Sequence, residues 1–199
     1  MIMNCFPGSG KSLIYQLPAV LSQGKVTLVI SPLIALIKDQ LDHLSKMNIE
    51  AQTINSRMNQ EDKNTVKADL MSRNPNTSLL YVTPEQVSTR NFQDLLDCMI
   101  KSKNIACIVI DEAHCLSEWG HDFRPDYCKL GILRQKTGTV PFAALTATAS
   151  RQVAQDITST LRFRYGYKTF KLPCFRSNLF YDVIFKPSNQ VFFFYKFMT

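Results

Sequence analysis

The sequence predicts an α/β protein built on a parallel sheet covered by helices on both faces. Three observations lead there. Short apolar runs alternate with amphipathic stretches of ten or more residues, which is the spacing of crossover connections between parallel strands. Several of the runs are apolar throughout, as strands buried on both faces must be. A glycine-rich turn and a pair of adjacent carboxylates each follow one of the runs.

Taken in order, Met1-Ile-Met is a first short strand, then the turn, then a helix beginning at Leu13-Ile-Tyr-Gln-Leu17. Val26–Ile30 reads as a buried strand. Over 33–47, Leu33, Leu36, Ile37, Leu41 and Leu44 recur at helical spacing, with Pro32 suited to the first turn. A short strand is expected over 51–54, a polar-faced helix over 60–73, and a strand over 79–82. The next elements are a helix over 92–102, a strand over 105–110, one helix over 125–135, a strand over 142–145 and a helix over 151–161. Beyond these, 168–172 is one more strand candidate, and 178–185 has the pattern of a further strand. Gln190–Thr199 packs five aromatics into ten residues and reads as a tail outside the fold. The layout is RecA-like.

Composition narrows the class. A hydrophobic content of 45% with 20% charged residues is that of an ordinary globular domain. No apolar run reaches the roughly 18 residues of a membrane span, so no membrane association is expected, and no basic segment with an apolar stretch marks a secretory signal. Six cysteines (Cys5, Cys98, Cys107, Cys115, Cys128, Cys174) contain no C-x-x-C pair, which favours reduced thiols and argues against a zinc site. The net charge of +7 sits mostly in residues 151–199, with 8 basic against 2 acidic residues, so basicity alone does not mark the first 150 residues as nucleic-acid binding.

Two motifs carry the chemistry. Gly8-Ser9-Gly10-Lys11-Ser12 lies between an apolar strand and a helix, as a phosphate-binding loop requires. Successive backbone amides there wrap the phosphates of ATP, Lys11 neutralises their charge, and the Ser12 hydroxyl is placed for Mg2+. Asp111-Glu112-Ala113-His114 follows the strand 105–110. Asp111 is a Mg2+ ligand candidate, directly or through water, and Glu112 is the candidate that orients and deprotonates the attacking water. Together the motifs point to an ATPase, with Lys11, Asp111 and Glu112 as catalytic candidates. His114 is either a satisfied polar side chain or a reporter of nucleotide state. Thr146 and Thr148 flank Ala147 at the next strand end, where they either bond the Asp-Glu loop and couple it to its neighbours, or Thr148 or Ser150 simply caps the following helix. Trp119 and Phe123 offer stacking surfaces for unpaired bases, and Arg124 offers phosphate or cation–π contact, among His121, Gly120 and Pro125.

Five further stretches carry a resemblance. Lys11–Pro18, Ser31–Gln40, Tyr81–Glu85, Asp111–His114 and Leu145–Ala149 resemble, in order and spacing, the helicase motifs of superfamily 2, and Ser117–Tyr127 is similar to the aromatic-rich loop of RecQ DNA helicases. Pro173–Val183 looks like the animal type-five branch. The resemblance implies a nuclear, ATP-dependent 3′–5′ DNA helicase of repair, recombination and replication, acting on single-stranded or forked DNA. Trp119, His121, Phe123 and Arg124 are its expected DNA contacts. It also implies the domain expectations: residues 1–165 as a first RecA-like ATP-binding domain lacking its amino-terminal part, 166–186 as the lead-in to a second RecA-like domain, and 187–199 as the tail. The family carries Met-Pro-Thr where Cys5-Phe6-Pro7 stands. With the second motor lobe expected to be absent from this chain, unwinding by it alone is not expected. The alternative is a non-catalytic truncated fragment that binds nucleotide or single-stranded DNA weakly.

Overall fold

The computed structural model describes residues 1–5 and 8–172. The strand and tail expected over 178–185 and 187–199, and Cys174, lie outside the described residues. Seven strands form one sheet: β1 (Ile2–Asn4), β2 (Val26–Ile30), β3 (Ala51–Thr53), β4 (Leu79–Val82), β5 (Ile105–Ile110), β6 (Phe142–Thr146) and β7 (Thr169–Lys171). Their order is β3-β4-β2-β5-β6-β1-β7, and every pairing is parallel. The helices are α1 (Leu13–Leu21), α2 (Ile34–Lys46), α3 (Gln60–Met71), α4 (Pro84–Val87), α5 (Arg90–Lys101), α6 (Pro125–Cys128), α7 (Gly131–Thr137) and α8 (Arg151–Thr160), with a 3-10 turn at Ala113–Leu116.

Alternation along each strand divides the core between two faces. Leu28, Ile30, Leu80, Val82, Ile108 and Ile110 point to one face, where α3, α5, α7 and α8 contribute Leu70, Phe92, Leu96, Leu133 and Ile157. Val29, Leu79, Tyr81, Val109 and Leu145 point to the other, under Tyr15 and Ala19 of α1 and Ile37 and Leu44 of α2. Both faces are covered, which is why β4 and β5 read as unbroken apolar runs. Among the described residues no helix is long and apolar enough to cross a membrane.

The helix expected over 125–135 is two. Around its middle the backbone bonds run from residue i to i−3, as in Leu130 N to Tyr127 O and Leu133 N to Leu130 O. The reason is tertiary: at Gly131 a Cβ would sit 2.5 Å from the Thr160 carbonyl oxygen at the end of α8, so the chain passes that helix too closely for an ordinary turn. Pro32 also falls outside the first turn of α2, which starts at Ile34 after an extended Leu33. The short α4 and the 3-10 turn were not expected from the pattern.

The helix after β1 packs on one face of the sheet and the helix after its neighbour β6 on the other. The crevice in which an open α/β sheet places its ligand therefore falls at the carboxyl ends of β1, β5 and β6.

Candidate functional site

The phosphate-loop sequence follows β1. Gly8 and Gly10 have φ of +81° and +78°, a region closed to most side chains, and a Cβ at either would meet nothing within 4 Å. The glycines are thus there for the backbone path, and they leave open space beside it. Among the described residues no amide from Gly8 to Ser12 donates to a backbone carbonyl; the helical bonding begins with Leu13 N to Gly10 O at 3.0 Å. The Ser12 hydroxyl is not spent on capping α1, and Ser9 Oγ is buried without a partner among the described residues. Uncommitted amides, an orphaned hydroxyl, a lysine and a helix start make a cradle that fits a phosphate chain and its Mg2+.

Asp111 and Glu112 stand across from it at the end of β5. The Asp111 amide donates to Ile30 O at 2.9 Å, and its carbonyl accepts from the buried Tyr127 hydroxyl at 3.0 Å. Burial, with the neighbouring Glu112 charge second, pushes the Asp111 carboxyl up from 3.8 to about 6. Such a group seeks a cation. Glu112 is left-handed, φ 46° and ψ 45°, and this turn brings its carboxylate to 3.9 Å from Lys11 Nζ and 3.3 Å from His114 Nδ1.

Burial lowers the His114 pKa, more than Glu112 raises it, so the ring is neutral and its 3.3 Å contact with Glu112 is not an ion pair. Thr146 Oγ1, fully buried, bonds Thr148 O at 3.2 Å and accepts from Thr148 N at 3.1 Å. It also lies 3.1 Å from His114 Nδ1, in a hydrogen bond whose direction depends on the tautomer of the ring. The His114 ring stacks on His121 with centroids 4.0 Å apart, and His121 Nδ1 lies 3.2 Å from Thr148 Oγ1. Glu112, His114, Thr146, Thr148 and His121 form one connected chain.

The loop carrying His121 is open to solvent. Trp119 is 77% exposed and Phe123 is 38% exposed, so neither fills the core. Trp119 and His121 line an open depression with Thr148, Ser150 and Val153. Arg124 is committed within the protein: its Nε and Nη2 donate to Asp122 Oδ2, and its Nη1 donates to Pro32 O at 2.9 Å, which ties the loop to the segment after β2. Sequence reasoning missed Tyr127, and Asn4, whose Nδ2 donates to Ala149 O at 3.2 Å and joins the end of β1 to the Thr146–Ala149 turn. Tyr127 had a signal, lying inside the loop segment; Asn4 had none.

Comparison with known proteins is consistent with this arrangement. Residues 1–157 match the family model described as DEAD/DEAH box helicase. The ATP-dependent DNA helicase Q5 of Rattus norvegicus is 49% identical over 186 residues, 93% of this chain and 19% of that protein. The ATP-dependent DNA helicase hus2/rqh1 of Schizosaccharomyces pombe is 47% identical over 189 residues, 93% of this chain and 14% of that protein. The chain thus spans a fifth or less of the length of these two relatives. In fold it is similar to the Pyrococcus furiosus Hef helicase domain, with TM-score 0.58 and 18% identity over 84% of this chain and 34% of that one.

Proposed function

We propose, given that this chain belongs to the DEAD/DEAH box helicase family, that it is the ATP-hydrolysing lobe of a RecQ-type 3′–5′ DNA helicase. One observation carries the reading: Lys11, Glu112 and His114 meet at the carboxyl ends of β1 and β5, and the exposed Trp119 loop grows directly out of that cluster.

The geometry supports the following roles. The amides of Gly8, Ser9, Gly10, Lys11 and Ser12 receive the phosphates, and the Lys11 ammonium balances their charge. Ser12 and Asp111 would hold Mg2+, which would add further neutralisation of the phosphates. When phosphate enters, Lys11 moves to it from Glu112 and frees the carboxylate. Glu112 then takes the proton of the attacking water, with the His114 ring 3.3 Å away beside it. Thr146, Thr148 and His121 connect this event to the loop, where Trp119 and Phe123 stack on unpaired bases. Arg124 holds the loop to the strand-end segment at Pro32, beside the proposed path of the DNA backbone.

In this reading residues 1–165 are the first motor domain and 166–186 lead toward a second RecA-like lobe in a longer nuclear protein acting on single-stranded or forked DNA. An arginine finger from a second lobe is worth on the order of 10³–10⁵ in rate where it operates, so turnover by these residues alone is expected to be slow. The test is equilibrium binding of a fluorescent ATP analogue with Mg2+. Lys11→Ala should weaken it by about tenfold or more, equivalent to about 1.4 kcal/mol. Equal affinity in both proteins would sink the assignment of the cradle.

A further inference from the structure

Trp119 is the only tryptophan in the chain, and its backbone amide donates to Ser117 Oγ at 3.2 Å. Ser117 is fully buried. Its own hydroxyl proton goes to Asp156 Oδ2, on the middle turn of α8. The other oxygen, Asp156 Oδ1, accepts from Gln152 Nε2 at 3.0 Å. The Ser117 carbonyl, in turn, accepts from Gly120 N at 2.9 Å. The root of the exposed loop is thus fastened to another element, 39 residues along the chain, through one buried hydroxyl and one carboxylate.

We propose that Asp156 is a positioning residue for the stacking platform, holding Trp119 through Ser117 and registering the loop against α8. The assignment rests on reading Trp119 as a single-stranded DNA contact. A hydroxyl that gives its proton to a carboxylate is polarised and becomes a better acceptor, so the Asp156 charge strengthens the Trp119 amide bond it does not itself touch. The helix carrying Asp156 is capped by Ser150, two residues beyond Thr148, so it continues directly from the turn that bonds His114 and His121. A shift of that turn reaches Trp119 by two routes, one through the histidines and one through Asp156. Neither carboxylate oxygen is spare, so no single neutral replacement can serve both Gln152 and Ser117 as an acceptor pair.

The experiment is the fluorescence anisotropy of Trp119 in the 199-residue chain, read without DNA and then during titration with a single-stranded oligonucleotide. Asp156→Ala and Ser117→Ala should each lower the DNA-free anisotropy, and the double variant should fall no further than either one. Each should also weaken oligonucleotide binding by about fivefold or more, the lower end of one base-stacking contact. Ile157→Ala, which cuts a buried side chain from the same helix, should reduce thermal stability while leaving Trp119 anisotropy at the wild-type value. Unchanged anisotropy in both single variants would overturn the proposal, as would an equal loss in Ile157→Ala. Should the wild-type chain not respond to oligonucleotide at all, the DNA contact fails, and the DNA-free anisotropy still decides the role of Asp156.

Discussion

Glu112 adopts a left-handed backbone conformation that costs a residue with a side chain about 1–2 kcal/mol, and it does so one position after a half-buried carboxylate. Strain and burial fall on adjacent residues because each serves the cleft: the turn aims Glu112 at Lys11 and His114, and the burial leaves Asp111 short of a cation. Asp111 gives a prediction with a definite sign. Its folded pKa, about 6, lies above the 3.8 of an exposed carboxyl. Between those values the folded chain binds more protons than the unfolded one, so the Asp111 contribution to stability is favourable at low pH and is lost as pH rises toward 6. In the absence of Mg2+, Asp111→Asn should therefore raise the unfolding free energy near pH 7.5 by on the order of 2 kcal/mol. In urea titrations the gain should shrink toward zero as pH is lowered to about 4; a variant less stable than wild type near pH 7.5 would contradict this. The residue types at 111 and 112 announced their chemistry in the sequence. The contact of His114 with Thr146 did not, because Thr146 lies 32 residues away and is brought in only by the pairing of β5 with β6.

Elements were legible where burial dictates pattern and illegible where a neighbour does. β2, β4 and β5 fell where their apolar runs stand, since a strand buried on both faces has no other way to be written. The break between α6 and α7 carried no such mark, because it answers to the end of α8 passing beside Gly131. The loop between the 3-10 turn and α6 has a similar tertiary demand at Gly120, where an added Cβ would collide with the His114 carbonyl oxygen and press on that of Ser117. Both contacts are backbone and neither can rotate away. Gly120→Ala should lower stability by about 1–3 kcal/mol, in the range of other overpacking changes, and it should disturb the His114–His121 stack more than the distant sheet. Proton spectra of the three histidines would show it; unaltered His114 and His121 resonances would count against the packing described here.

For the whole molecule, strands and crossovers were readable from composition along the chain, but the neighbour order β3-β4-β2-β5-β6-β1-β7 was not, since pairing between distant runs leaves no local trace. That order creates the site. It sets the phosphate loop after β1 next to the threonine turn after β6, and sets that turn next to the carboxylates after β5. A single sheet end thus joins the proposed phosphate cradle, the proposed base and an exposed aromatic loop, and the central claim is that these parts act together. ATP hydrolysis by the purified chain, with and without single-stranded DNA and beside a Glu112→Gln control, tests this most directly. The account predicts slow turnover that DNA accelerates and that the Glu112→Gln change abolishes. Turnover indifferent to DNA, or surviving the loss of the Glu112 carboxylate, would contradict it.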